Sequence, residues 1–282
     1  MEALQWANEK LKTTHKDLAN YSGTRLDSPM LDAEVLLSHV LKAKKSWLFT
    51  HLDVHLTQEQ NEHFHKVIKR RAHHEPIAYI LGKKAFFGRD FFVNRFVLIP
   101  RPATEHLIES ALEASNLHEQ DKTLFVDIGT GSGAIAVTLA AESGLPVIAT
   151  DISVDALSVA KHNSKTHGTI NLIDFRKGDL LKPLLDIFRS LQKSGSRMPI
   201  THLILCANLP YLTDRQWETG QIDIRDFEPK SALTAGKDGL DIYWQLFREL
   251  CRARRILPTY ITTLIEIDPS QNQKIIPLIK HD

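Results

Sequence analysis

Apolar positions follow two regimes along this chain. Over residues 1–75 they recur at helical spacing, and from Thr123 onward they gather into short continuous runs separated by longer mixed segments. Leu4, Leu11 and Leu18 lie seven apart, which predicts an amphipathic helix over residues 1–20 that Tyr21-Ser22-Gly23 breaks. Ser28-Pro29 reads as an N-cap followed by proline at the first helical position. The helix it opens carries Leu31, Val35, Leu36, Val40 and Leu41. Thr57 with Gln60 forms a capping-box pattern for a helix to about Arg71. Together these predict a small helical bundle.

Residues 83–99 change character. Phe86-Phe87-Gly88-Arg89-Asp90-Phe91-Phe92-Val93 predicts two short strands around a glycine-containing turn. Val97-Leu98-Ile99 then ends at a stiff corner, Pro100-Arg101-Pro102, with Thr104 as a cap for the next helix. Beyond it, strands are expected at Thr123–Ile128, Pro146–Asp151, Ile170–Arg176, His202–Ala207 and Tyr260–Ile267. Helices are expected to begin near Gly133, Asp155, Lys182 and Gly239. Strand-helix alternation of this kind predicts an α/β fold, a parallel sheet with helices on both faces. The domain reading is a helical bundle at 1–82, a β-hairpin linker at 83–100 and an α/β domain at 101–282.

Composition narrows the function classes. Of 282 residues, 43% are hydrophobic and 24% charged, and the formal net charge is +1. The helical segment 1–82 holds 11 Lys or Arg against 10 Asp or Glu. A nucleic-acid binder ordinarily shows a strongly basic face, so no direct nucleic-acid partner is expected. No run approaches the roughly 20 apolar residues of a membrane span, and the N-terminus has no signal-peptide core, so no membrane association is expected. Two cysteines, Cys206 and Cys251, make neither a disulfide framework nor a zinc set, which points to a reducing, cytoplasmic setting. The histidines at 51, 55, 63, 65, 73 and 74 follow no ligand spacing, and no metal is expected.

Two stretches carry chemistry. Phe125-Val126-Asp127-Ile128-Gly129-Thr130-Gly131-Ser132-Gly133-Ala134 is a strand running through a glycine-rich turn into a helix. Glycines there let a ligand approach the backbone. Asp151 closes the next strand, where a carboxylate accepts from ribose hydroxyls. Gly129, Gly131 and Ala134 also satisfy the dinucleotide pattern G-x-G-x-x-G/A. Two features favour S-adenosylmethionine. Asp127 would repel a pyrophosphate but attract the cationic amino-acid end of that donor. Asn208-Leu209-Pro210-Tyr211 also follows the fourth strand, beside the same cleft. Its Asn208 side-chain oxygen and Leu209 carbonyl can accept both hydrogens of a planar N–H₂ group, on which Tyr211 stacks. A nitrogen delocalised into a π system is a weak nucleophile, and two preorganised acceptors favour the positive charge that develops as it attacks a methyl carbon.

These segments, with Asp32-Ala33-Glu34-Val35-Leu36-Leu37, Glu75-Pro76-Ile77-Ala78-Tyr79-Ile80-Leu81-Gly82, Leu98-Ile99-Pro100-Arg101-Pro102-Ala103-Thr104-Glu105 and Glu228-Pro229-Lys230-Ser231-Ala232-Leu233, resemble the HemK/PrmC-type protein-(glutamine-N5) methyltransferases. The resemblance runs from about Leu31 to Gln271. It implies a Rossmann-like S-adenosylmethionine-dependent methyltransferase sheet with a small N-terminal helical domain that holds the partner, a class I peptide-chain release factor. It implies methylation of the glutamine in that factor's Gly-Gly-Gln motif. Carried onto this chain, Asp127, Gly129, Thr130, Gly131, Ser132, Gly133, Asp151, Leu180 and Asn208 bind the donor. Asn208, Leu209, Pro210 and Tyr211 hold the glutamine, with Asn208, Pro210 and Tyr211 as the catalytic set.

Three departures accompany the resemblance. Leu209 stands where the family usually has proline, keeping the carbonyl but loosening the backbone. Asp268 stands where glycine is usual. Only one short helix, around Gln271 to Lys280, fits after the fifth strand, so the family's last two strands are expected to be truncated, leaving an open sheet edge. Asn-Leu-Pro-Tyr is also the form found in RNA adenine-N6 dimethyltransferases. An adenine-N6 methyltransferase acting on RNA or DNA therefore stands as the alternative, as does a non-catalytic binding relative. A monomer is the favoured oligomeric state.

Overall fold

The computed structural model describes residues 2–16, 28–51, 53–117, 122–195 and 200–279. These fall into two compact units, one formed by residues 1–83 with 219–227, the other by 84–218 with 228–282.

In the first unit the helices are Glu2–Lys16, Pro29–Leu41, Lys45–Thr50, Gln58–Ala72, Ile77–Leu81 and Ile222–Phe227. Leu4 and Leu11 are buried as their spacing requires, against Leu36, Phe64 and Ile68. Leu18 and Tyr21-Ser22-Gly23 lie outside the described residues. The Ser28 hydroxyl accepts from the Leu31 N–H at 3.2 Å, and Thr57 and Gln60 cap each other reciprocally at 3.2 and 2.9 Å. Two one-turn helices, Lys45–Thr50 and Ile77–Leu81, have no counterpart in the sequence pattern, being too short to show a period. Arg71, buried in the bundle, is neutralised by Asp32 at 2.8 Å and donates to the Glu75 carbonyl at 3.2 Å. A buried guanidinium needs both kinds of partner.

The second unit opens near β1 (Lys83–Phe86) and β2 (Arg89–Phe92), which pair as a two-stranded sheet. Phe87 and Gly88 sit between them with φ of 47° and 72°, the left-handed pair that a tight hairpin turn demands. The main sheet contains β3 (Thr123–Ile128), β4 (Val147–Asp151), β5 (Ile173–Lys177), β6 (His202–Ala207) and β7 (Tyr260–Ile265). All pairs are parallel and the order is β5-β4-β3-β6-β7. β3 and β6 are buried along their whole length. Their residues alternate between two cores, Leu124, Val126, Leu203 and Leu205 on one face and Phe125, Ile204 and Cys206 on the other.

Three strands are shorter than expected, β4 by one residue because it begins at Val147 rather than Pro146. β5 begins at Ile173 because a turn closed by the Leu172 N–H on the Thr169 carbonyl occupies the preceding residues. β7 stops at Ile265 because its neighbour β6 runs out at Ala207, which pairs with Ile265. After β7, a single turn Pro269–Gln271 leads into the helix Asn272–Ile279, and Lys280 lies outside the described residues. Within the described sheet β7 is an outer strand, and Tyr260 is half exposed. Among the described residues no helix is long and apolar enough to cross a membrane. The chain order reverses around β3, with β4 on one side and β6 on the other, and ligands of such sheets gather beyond the carboxyl ends at that point.

Candidate active site

A cavity of about 290 Å³ opens at that switch point. Gly129, Thr130, Gly131, Ser132, Asp151, Leu180, Asn208, Leu209 and Pro210 all line it, so the glycine loop and the Asn-Leu-Pro-Tyr stretch share one chamber. Three residues singled out from sequence lie off its wall. Asp127 is fully buried beneath the glycine loop, Gly133 packs on Ala160, and Tyr211 turns its hydroxyl to Glu266 Oε1 at 3.3 Å.

The glycine loop is braced from below. Asp127 Oδ2 accepts from the Thr130 hydroxyl at 2.6 Å and from the Ala136 N–H at 3.1 Å. It thereby ties the loop to the first turn of the helix Ala134–Ser143. Oδ1 is buried and has no hydrogen-bond partner among the described residues. Burial pushes the Asp127 carboxyl up to about 7, against the pull of those two donors, and nearby Asp151 adds to the rise. Asp151 Oδ2 accepts from the Gly131 N–H and Oδ1 from the Ser153 N–H, both at 2.9 Å. Burial raises its pKa as well, with the backbone amides opposing. Each Asp151 oxygen keeps a second lone-pair direction for a ligand. Gly129 has φ of 72°, and a Cβ there would approach Leu209 Cδ2 to 2.9 Å. Glycine at 129 and leucine at 209 are thus fitted to one another.

The Asn-Leu-Pro-Tyr stretch is held by side chains from four places in the chain. Asn208 Nδ2 donates to Thr104 Oγ1 at 3.0 Å, which leaves the amide oxygen as an acceptor. Thr104 itself is no side-chain cap, contrary to the sequence reading. Its φ and ψ are already helical, and its hydroxyl serves Asn208 instead. The Leu209 N–H donates to the Tyr243 hydroxyl at 3.2 Å. Gln271, buried behind the loop, donates from Nε2 to the Tyr211 carbonyl at 2.8 Å and the Asp238 carbonyl at 3.1 Å, while Oε1 accepts from the Asp268 N–H at 3.1 Å. Asp268 caps this turn by accepting from the Ser270 N–H at 2.9 Å. The aspartate that departs from the family pattern is therefore part of the cap that orients Gln271. Gly239, with φ of 72°, leaves space for the same contact, since a Cβ there would collide with the Tyr211 carbonyl and the Gln271 amide. Burial and the neighbouring Glu266 carboxylate push the Tyr211 phenol up to about 12, so it stays a neutral donor.

Glu228 joins two further segments beside the cavity. Its buried carboxylate accepts from the Ile99 N–H at 3.1 Å and pairs with Arg101 at 2.5 Å, which fixes the corner before Pro100 against the segment that begins at Pro229. Pattern reading missed the roles of Thr104, Tyr243, Gln271 and Glu228. Each acts through a partner 34 or more residues away, which local periodicity does not register. Gln271→Leu would leave the Tyr211 and Asp238 carbonyls short of a donor. The expected result is a loss of about 1–2 kcal/mol in unfolding free energy by denaturant titration.

A parallel sheet with a glycine-rich turn after β3, an acidic residue closing β4 and an Asn-Leu-Pro-Tyr loop after β6, all round one cavity, defines an S-adenosylmethionine-dependent methyltransferase. Comparison with known proteins carries this further. Residues 2–82 match the PrmC N-terminal domain family and residues 119–194 the Methyltransferase domain family. The release factor glutamine methyltransferase of Bacillus cereus is 38% identical over 251 residues, covering 88% of this chain and 80% of the relative. That of Nitratidesulfovibrio vulgaris is 40% identical over 237 residues, covering 82% and 73%. The chain belongs to the release factor glutamine methyltransferase family. Among solved structures, the hMettl16 catalytic domain in complex with MAT2A 3′UTR hairpin 6 superposes with a TM-score of 0.52 at 15% identity, covering 76% of this chain and 72% of that one. At that identity the likeness speaks for the fold alone.

Proposed function

We propose that this chain methylates the side-chain amide nitrogen of the glutamine in the Gly-Gly-Gln motif of a class I release factor, with S-adenosylmethionine as donor. The observation that carries this reading is Asn208. Its amide nitrogen is committed to Thr104 and its oxygen is left as an acceptor on the wall of the cavity that the glycine loop also lines. Bound S-adenosylmethionine supplies an electrophilic methyl group on a sulfonium. Asp151 holds the ribose hydroxyls with the lone pairs that Gly131 and Ser153 leave over. Asp127 lies beneath the glycine loop rather than on the cavity wall, and its Oδ1, without a partner among the described residues, favours the donor's cationic end through its field and not by contact. Leu180, in the left-handed region at φ 43° and buried, gives the cavity an apolar wall.

At the acceptor end, Asn208 Oδ1 and the Leu209 carbonyl accept the two amide hydrogens and orient the nitrogen lone pair toward the methyl carbon. Transfer of the donor's methyl group to that nitrogen would leave the bonding pair on the donor's sulfur. The charge that develops on nitrogen is met by the two oxygen dipoles. The N-methylated amide then sheds its extra proton to water, so no side-chain base is needed. The helical segment 1–82 serves to hold the release factor.

Asp127 gives the reading a pH signature. Its carboxyl is neutral below about 7, so donor affinity is expected to fall between pH 8 and pH 6. Asp127→Asn should flatten that dependence in calorimetric titrations. The stability contribution has the opposite sign. A folded-state pKa raised above the unfolded value stabilises fully below about pH 4 and is lost as pH rises through about 7. The function itself is tested by offering methyl-labelled donor with a release factor and with total RNA in parallel. Label on the factor and none on RNA is expected. Label on RNA alone would replace this reading with adenine methylation.

A further inference from the structure

Leucine at position 209 brings a backbone N–H that proline in the same place would lack. That N–H is engaged, donating to the Tyr243 hydroxyl at 3.2 Å. Tyr243 projects from the helix Asp241–Ala253 and is fully buried. Its single proton goes to the Glu266 carbonyl at 2.5 Å, and the Ala207 carbonyl lies within reach at 3.3 Å. The Glu266 N–H in turn bonds the Ala207 carbonyl at 3.0 Å. One phenol oxygen thus joins the end of β6, the residue after β7 and the second residue of the acceptor loop. Burial pushes the phenol well above its ordinary pKa, so it remains a neutral group able to accept and donate at once.

The consequence concerns rigidity. Proline fixes φ within the chain itself, whereas leucine leaves φ free to rotate. A Leu209 carbonyl that must meet one hydrogen of a glutamine amide needs its peptide plane held, and a misplacement of about 1 Å is enough to cost a large factor in rate. Thr104 holds residue 208 and Gln271 holds residue 211, but both act on atoms outside the 209 backbone. Only the Tyr243 hydroxyl, among the described residues, bonds the 209 amide itself. We propose that Tyr243 is a positioning residue for the acceptor loop, supplying through the Leu209 N–H the backbone restraint that a proline at 209 would build in covalently. This rests on the reading of Asn-Leu-Pro-Tyr as the acceptor site.

The two roles of the hydroxyl can be separated. Tyr243→Phe removes the bond to the Glu266 carbonyl whatever residue stands at 209, but it removes the Leu209 bond only when residue 209 has an N–H. The experiment is a double-mutant cycle of Tyr243→Phe with Leu209→Pro, read as kcat on a release factor and as donor affinity. In the leucine background the phenylalanine should lower kcat about tenfold with donor affinity within about twofold. In the Leu209→Pro background the same change should lower kcat by less than about threefold. Leu209→Ala, which keeps the N–H, should show the full loss. Equal losses in the leucine and proline backgrounds would overturn the proposal and leave Tyr243 a structural residue.

Amide hydrogen exchange provides a readout that needs no turnover. The Leu209 amide should be protected in the unaltered chain and exchange at least about tenfold faster in Tyr243→Phe, at pH values where both chains stay folded. Unchanged exchange would overturn the proposal even if Leu209→Pro fails to fold. If the unaltered chain transfers no methyl to a release factor, the acceptor reading fails, and exchange at Leu209 still decides whether the clamp exists.

Discussion

Asn208→Ala should lower kcat for methyl transfer by about 10²–10³-fold while leaving the unfolding transition nearly in place. The size follows from what the side chain does. On the proposed reading its oxygen is one of two acceptors for the attacking nitrogen, and it lines a cavity walled by Ile128, Leu180, Leu209 and Pro210, where dipoles are poorly screened. Removal of one preorganised partner of a developing charge falls in this range when the remaining partner stays. The small structural effect follows from position. Asn208 lies just past the end of β6, is not fully buried, and makes its side-chain bond to a single hydroxyl, Thr104 Oγ1. Donor affinity should change much less than kcat, since on the proposed reading the donor's ribose falls to Asp151. Single-turnover kinetics with donor binding measured separately checks both parts. A variant with turnover near that of the unaltered chain would remove Asn208 from the mechanism.

Asp151→Ala should weaken donor binding by about 1–3 kcal/mol, which is between about fivefold and 150-fold in Kd. The upper part of the range applies if the carboxylate contributes twice. On the proposed reading it accepts from the donor's ribose, and it holds the Gly131 and Ser153 N–H groups at 2.9 Å. The alanine variant therefore loosens the glycine loop as well as removing the ligand contact. Asp151→Asn separates the two, because its amide oxygen still accepts one N–H while its NH₂ group meets the other with the wrong polarity. Isothermal titration with S-adenosylmethionine or S-adenosylhomocysteine reads the difference. Donor affinity unchanged in both variants would count against the ribose assignment.

The legible part of this molecule was the part set by local physics. β3 and β6 read as strands because residues buried on both faces of a parallel sheet form unbroken apolar runs. Ser28 and the Thr57–Gln60 pair read as caps because a cap is a contact within one helical turn. The glycine loop and the Asn-Leu-Pro-Tyr loop could be placed in one cleft because the ends of neighbouring parallel strands lie side by side.

The illegible part is non-local. Nothing in the sequence around Thr104 distinguishes a helix cap from a hydroxyl that serves Asn208, and the structure selects the second. Asp127 read as a donor-facing carboxylate, yet strand alternation turns it onto the same face as Phe125 and Cys206, under the loop, where it also braces Thr130 and Ala136. Residues 219–227 carry no signal that groups them with the N-terminal helices rather than with the sheet that flanks them in sequence. Gln271 lies in a polar turn of ordinary composition, and only its two carbonyl partners, Tyr211 and Asp238, reveal its place behind the acceptor loop.

The central claim is that the methyl group goes to one glutamine side chain. It is tested most directly by incubating the chain with S-adenosylmethionine and a class I release factor, digesting the product, and locating the added methyl by mass spectrometry, with the Gly-Gly-Gln glutamine→alanine factor in parallel. The account predicts one added methyl on the glutamine of the Gly-Gly-Gln peptide and none anywhere on the alanine factor. A methyl on another residue, or equal labelling of the alanine factor, would contradict it.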